Sequence, residues 1–348
     1  MILLNEFIIG EEIASQYLDV GIGTVLYDEL GRPDVRRIVV NSTDPLLNRI
    51  GHLERKLKNG FYLSWFMSFR CTKKELNEAE MLGVWIQRMF EPSGIECGTE
   101  YDYSDICPSC GAGGRQLSDL ILDLRRTPKT KDIARTLSEE MVVSQRLAEL
   151  IVDEGISGCE LRPVMHKAYH MDASVNLSRV PSGRELLRQS RAADIEPYSQ
   201  AFGVWLNRAE QHELCERSRL ENCELLAKRA RKAAPPAPWY QLVITAPAIL
   251  AVPPTRFGID PFNEDKKGEY RCSSGNPRGH LVGFRRLSEL HLSRAEWHGS
   301  DIACTANLIG LRSDLCRPNP LILISPRFYK LIKEHDIKGF SFEVAYLE

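Results

Sequence analysis

Neither charge dominates this chain: 45 Lys and Arg stand against 47 Asp and Glu over 348 residues, a formal net charge of -2. That balance argues against a general polyanion or membrane-surface binder, although it leaves local patches open. The first residues, Met1-Ile2-Leu3-Leu4-Asn5-Glu6, lack a positive n-region. No secretory leader is expected, and a cytoplasmic protein is the simplest reading. Uninterrupted apolar runs are missing as well. Residues 233–255 carry no charged side chain, but Pro235, Pro236, Pro238, Pro247, Pro253 and Pro254 fall among them. Each proline removes a donor and clashes with the preceding turn, which excludes a spanning helix and leaves a Pro-rich linker feeding a strand over 239–245. No G-x-x-x-x-G-K-[ST], G-x-S-x-G or H-E-x-x-H motif occurs. His166 and His170 have the i, i+4 spacing of a helical metal pair, but no Glu follows His166, and they read as surface or loop histidines.

What the chain does have is cysteine: ten, at 71, 97, 107, 110, 159, 215, 223, 272, 304 and 316. In a chain this long without a leader they point to reduced thiols and metal binding, since disulfide frameworks belong to small secreted domains. Cys107-Pro108-Ser109-Cys110-Gly111 has the form of a zinc knuckle, two thiolates offered to one ion from one tight turn. A structural zinc needs two more ligands. Cys97, ten residues upstream, is the nearest third candidate, and Cys272 or His280 is a candidate fourth. Gly111-Ala112-Gly113-Gly114-Arg115 follows the knuckle and reads as its turn, although its amides and Arg115 could also wrap an anion.

The length suits two or three domains. Residues 1–70 read as mixed β structure, with strands over 38–40 and 60–69. Thr72-Lys73-Lys74-Glu75 has capping-box form, and Leu76, Ala79, Leu82, Ile86 and Met89 follow at helical spacing, which predicts a helix over 73–90. Strands are expected at 120–124 and 141–143, then a helix capped by Ser144 over 145–154, then a strand at 159–162. Residues 182–192 and 198–232 are expected to be helical, with enough charge to sit apart from the sheets.

Residues 239–348 repeat, in order, pieces of 101–164. Leu287-Ser288-Glu289-Leu290 follows Leu117-Ser118-Asp119-Leu120, and Asp301-Ile302-Ala303 follows Asp132-Ile133-Ala134. Leu323-Ile324-Ser325-Pro326-Arg327 follows Val142-Val143-Ser144-Gln145-Arg146, and Ile337-Lys338-Gly339 follows Ile156-Ser157-Gly158. Pro326 suits a first helical position, and Phe340, Phe342, Val344 and Tyr346 alternate as one face of a final strand. Asp132 and Asp301 are read as capping or turn-forming residues. The expected fold is α+β: two related modules with a zinc-knuckle element and a helical insertion. The expected divisions are 1–164, 165–235 and 236–348.

The CPxCG turn, the Val143 to Leu150 segment with Ile156 and Gly158, and the repeat from Ile324 to Phe342 together resemble myxobacterial double-CxxCG proteins and the immunity-type proteins of bacterial polymorphic toxin systems. The second half departs from a double motif, having Cys272-Ser273-Ser274-Gly275 and then His280 in place of a second CxxCG. The resemblance implies a non-enzymatic, zinc-stabilised binder that neutralises a toxin partner. Two alternatives come from other classes. One is a zinc-ribbon nucleic-acid binder using Arg115, Arg125, Arg126, Lys129 and Lys131. The other is a metal-dependent enzyme, which would need an open metal position and a nearby base. The sequence fixes neither the partner nor the oligomeric state.

Overall fold

The structure is a computed structural model and describes residues 1–28, 31–58, 60–107, 111–167, 236–257, 279–281, 287–310 and 318–348. The expected helices over 182–192 and 198–232 lie outside the described residues. The fold is mixed α+β and rich in strands. The described chain divides into two compact units, one formed by Ile2–Phe69 and the other by Met1 and the residues from Arg70 onward. Among the described residues no helix is long and apolar enough to cross a membrane.

The smaller unit contains β1 (Ile2–Gly10), α1 (Glu11–Tyr17), β2 (Thr24–Tyr27), β3 (Pro33–Asn41), α2 (Pro45–Lys56) and β4 (Ser64–Arg70), with sheet order β2-β3-β1-β4. Alternation fixes its inner face: Phe7 and Ile9 of β1 and Ile38 and Val40 of β3 are buried, with Phe7 opposite Ile38. Asp44 caps α2 by accepting from the Leu46 N–H (2.9 Å), and Pro45 takes the first helical position. Leu47, Ile50 and Leu53 are the buried apolar face of that helix.

The larger unit opens with α3 (Lys73–Glu78), β5 (Met81–Ile86), β6 (Met89–Phe90), α4 (Gly94–Cys97), β7 (Tyr101–Asp102), β8 (Arg115–Gln116) and β9 (Ile121–Leu122). It continues with β10 (Ile133–Thr136), β11 (Met141–Ser144), α5 (Gln145–Asp153), β12 (Cys159–Pro163), β13 (Met165–His166) and β14 (Trp239–Ile244). The last elements are β15 (Gly279–Leu281), β16 (Leu290–Leu292), β17 (Ile302–Gly310), β18 (Asn319–Ile324), α6 (Pro326–Glu334) and β19 (Phe340–Leu347). The main sheets have the orders β12-β14-β11-β10-β6 and β15-β17-β18-β5-β19-β16.

The helix expected over 73–90 stops at Glu78. Its capping box forms: Thr72 Oγ1 accepts from the Glu75 N–H (3.2 Å), and Glu75 Oε2 accepts from the Thr72 N–H (2.6 Å). Beyond it, Met81–Ile86 is a strand, paired antiparallel with β18 on one side and β19 on the other. Leu82 and Ile86 share a helix face, but they also share a strand face, so their spacing does not discriminate. Met81 and Leu82 are both fully buried on opposite faces of β5, as a central strand requires and an amphipathic helix does not. The final strand also departs from expectation. Phe340, Phe342 and Val344 pack into one core, Ala345 and Leu347 into another, and Tyr346 is left 37% exposed with its ring stacked on His291.

The expected divisions at 164 and 236 do not part the sheets. β14 lies between β11 and β12, and β5 lies between β18 and β19, with every one of these pairings antiparallel. The two sheets therefore contain the same run of strands, β10-β11-β14-β12 and β17-β18-β5-β19. Corresponding bonds recur. Ser144 Oγ accepts from the Leu147 N–H (3.3 Å) and donates to Asp132 Oδ1 (3.0 Å). Ser325 Oγ accepts from the Phe328 N–H (3.1 Å) and donates to Asp301 Oδ1 (2.7 Å). The second carboxylate oxygen of each aspartate reaches into the other sheet: Asp132 Oδ2 accepts from the Lys338 N–H (2.8 Å), and Asp301 Oδ2 from the Ser157 N–H (3.1 Å). Likewise the Gln87 N–H donates to the Gly339 carbonyl and the Thr245 N–H to the Gly158 carbonyl, each at 2.9 Å.

Candidate functional site: a cation-lined cleft beside an edge strand

Of the five expected metal ligands, Cys110 and Cys272 lie outside the described residues, and His280 is placed only by its backbone, opposite Ile309 in the β15–β17 pairing. Cys107 closes a tight turn. The Gly111 N–H donates to the Cys107 carbonyl (2.7 Å), the Cys107 N–H donates to the Ala112 carbonyl (2.8 Å), and Gly111 takes a φ of 72° that glycine adopts readily. This backbone is what a two-thiolate knuckle needs. Cys107 and Leu308 both pack against Ala112, and Leu308 faces Gly279, the neighbour of His280, across the strand pairing.

Cys97 has different surroundings. It ends the short helix α4, is buried, and its thiol is pushed up to about 12, chiefly by burial, with the nearby Glu96, Asp123 and Glu140 carboxylates adding to the rise. Among the described residues no group of three or more His, Cys, Asp or Glu side chains is placed to hold a metal. Beside Cys97, the buried Glu140 accepts from the Tyr101 hydroxyl (2.5 Å) and the Gly94 N–H (3.1 Å) at one oxygen, and from the Thr136 hydroxyl at the other. Burial pushes its carboxyl up to about 7 against the pull of those donors. His166 lies on β13, and its Nδ1 accepts from the Leu124 N–H (3.2 Å), a structural role; His170 lies outside the described residues.

The described residues form a cleft of about 710 Å³. One wall comes from Arg88, Met89, Phe90 and Glu91, on and around β6. The other comes from Arg126, Pro128, Lys129, Thr130 and Lys131, in the connection between β9 and β10, with Leu137 from the following turn. That connection is held at both ends. Asp123 starts it, its side chain accepting from the Arg125 N–H (3.1 Å) and its carbonyl from the Arg126 N–H (2.9 Å), and Thr127 Oγ1 donates to the Leu124 carbonyl (2.7 Å). At the far end the Asp132 N–H donates to the Lys338 carbonyl (2.8 Å). Arg126 Nε donates to the Glu91 carbonyl (3.4 Å) and Lys131 Nζ to Gln87 Oε1 (3.2 Å). Among the described residues, Arg88, Arg126, Lys129 and Lys131 make no ion pair. Among the described residues, four cations therefore share one concavity with a single carboxylate, that of Glu91, in its lining.

Of the basic residues singled out in the sequence, the structure brings Arg126, Lys129 and Lys131 together. It places Arg115 on the β7–β8 ladder, paired with Asp102 (3.3 Å), and leaves Arg125 half-buried outside the cleft lining. Arg88 was missed, because a helix over 73–90 would have made it a C-terminal dipole complement rather than part of an edge strand. No family model, curated protein or solved structure matches this chain.

Proposed function

We propose that this chain is a non-enzymatic binding protein of the immunity type, acting in the cytoplasm on a protein partner such as a toxin. The observation that carries the reading is the cleft: a concavity held by hydrogen bonds at both ends of its loop, with four cations that make no ion pair among the described residues, the kind of surface that gives on-rate and partner choice through charge complementarity. The matched strand orders and paired aspartate–serine bonds support a second part of the proposal, that the chain consists of two related modules that exchange β5 and β14. The closed turn at Cys107 supports a third, that Cys107 and Cys110 bind zinc, with Cys97 and Cys272 or His280 as the candidates that complete the site. Nucleic-acid binding is the second reading, favoured by the same cations and opposed by the net charge of -2.

The test is neutralisation. Co-expression of the full chain with a toxin-domain protein, sought first among the reading frames beside its gene, is expected to relieve growth arrest and to yield a complex that co-elutes in size-exclusion chromatography. Undiminished arrest in cells that hold the soluble full-length chain would contradict the reading.

A further inference from the structure

We propose that the cleft takes an acidic, extended segment of a protein partner, laid along the open edge of β6. This rests on the reading of the chain as a partner-binding protein and adds the chemistry and the mode of binding.

The first argument is position. Among the described residues β6 ends the order β12-β14-β11-β10-β6, paired there on one side, parallel to β10 with Met89 opposite Arg135. An edge strand offers a row of main-chain donors and acceptors, and adding a strand there satisfies them. The cleft lies against this edge, with Met89 40% exposed and Pro128 and Leu137 supplying apolar wall between the cations. A segment that alternates carboxylate and apolar side chains matches such a lining.

The second argument is an internal control. The fold repeats the framework of the cleft without its charge. Asp132 and Asp301 hold matching bonds, so Lys131 and Lys129 correspond to Ser300 and His298. The Gln87 and Thr245 amides bond to Gly339 and Gly158 in the same way, so Arg88 corresponds to Ala246. The same backbone is therefore built without cations at these positions. The matching framework therefore forms without these charges, and a ligand gives them a role beyond the Lys131–Gln87 and Arg126–Glu91 bonds.

The third argument separates ligand classes. Sequence-tolerant nucleic-acid grooves present exposed aromatic faces for base stacking. The one ring in this lining, Phe90, is 9% exposed. A free phosphate would use the cations and leave the apolar wall and the strand edge without a role.

The experiment is fluorescence anisotropy on the full chain with a labelled peptide of alternating Glu and Leu. An oligodeoxythymidylate of equal charge and inorganic phosphate serve as competitors. The peptide is expected to bind, and binding is expected to fall at least about tenfold in Lys129→Glu/Lys131→Glu and by a smaller factor in Lys129→Gln/Lys131→Gln. It should change less than about twofold in Arg115→Glu, outside the cleft. Arg115 and Lys129 are exposed and Lys131 is half-buried, and circular dichroism checks that each variant is folded. Equal losses in Arg115→Glu and the lysine variants, or no loss in either lysine pair, would overturn the proposal. So would displacement of the peptide by the oligonucleotide at a lower concentration than by unlabelled peptide, or displacement by millimolar phosphate. A chain that binds the peptide but fails to neutralise its toxin removes the immunity reading alone. One that neutralises the toxin but ignores the peptide removes this inference alone.

Discussion

Glu140 shows how one buried carboxyl links the fold to pH. Its carboxyl sits up at about 7, against an ordinary value near 4.5, because burial penalises the charge more than its three donors favour it. The folded state therefore holds a proton that the unfolded state has released. This stabilising contribution is complete below about pH 4.5 and is lost as pH rises through 7, amounting to at most about 3 kcal/mol. Glu139, also raised by burial, acts with the same sign. Asp301 acts oppositely: its carboxyl is lowered despite burial, by the Ser325 and Ser157 bonds and Arg327, and its contribution is lost only on acidification below the ordinary aspartate range. In Glu140→Gln the fall in urea-unfolding free energy between pH 5 and pH 7 is expected to shrink by about 2 kcal/mol. An unchanged slope would place the effect elsewhere. Two glycines give a second test at this scale. A Cβ at Gly158 would lie 2.0 Å from the Ile302 carbonyl oxygen, and one at Gly339 would lie 2.6 Å from that of Ile133, both at positive φ. Alanine at either is expected to cost about 2–4 kcal/mol. Gly155→Ala, at φ 59° with nothing within 4 Å, is expected to cost about 1 kcal/mol. Thermal melts of the three variants would rank them.

The helix caps were legible in the sequence because they are local. Thr72, Ser144 and Ser325 each accept from the backbone N–H three residues on, as their side chains and spacing implied. β11, β12, β14 and β19 also fall where the sequence put them, give or take a residue at their ends. β5 was not legible, since the Leu82 and Ile86 spacing fits a helix face and a strand face alike, and only its partners β18 and β19, more than 200 residues away, decide between them. The cleft was half legible for a similar reason. Lys129 and Lys131 stood out as a local cluster, while Arg88 joins them only through the parallel pairing of β6 with β10. At this scale Ser325→Ala is expected to cost about 2 kcal/mol and Ser144→Ala about 1 kcal/mol by urea unfolding. Ser325 costs more because it is 4% exposed and makes the shorter bond to its aspartate. Equal and negligible losses would show that the two caps are not what anchors α5 and α6.

For the molecule as a whole, the placement of β14 between β11 and β12 and of β5 between β18 and β19 ties the two sheets of the larger unit together, since neither run of four strands is complete without a strand from the other half of the sequence. The zinc proposal is tested at this scale too. The purified chain is expected to carry about one zinc, which is lost in Cys107→Ser/Cys110→Ser, with chelation lowering the melting temperature. Zinc retained in the double serine variant would place the site elsewhere. The central claim, that the cleft beside β6 is the working surface, is tested most directly by hydrogen–deuterium exchange of the full chain with and without the acidic peptide. The account expects new protection in the β6 segment, 87–91, and in the loop 125–131, and no change at the matching uncharged positions Ala246 and His298 to Ser300. Protection that appears elsewhere, or equally in both halves, would contradict it.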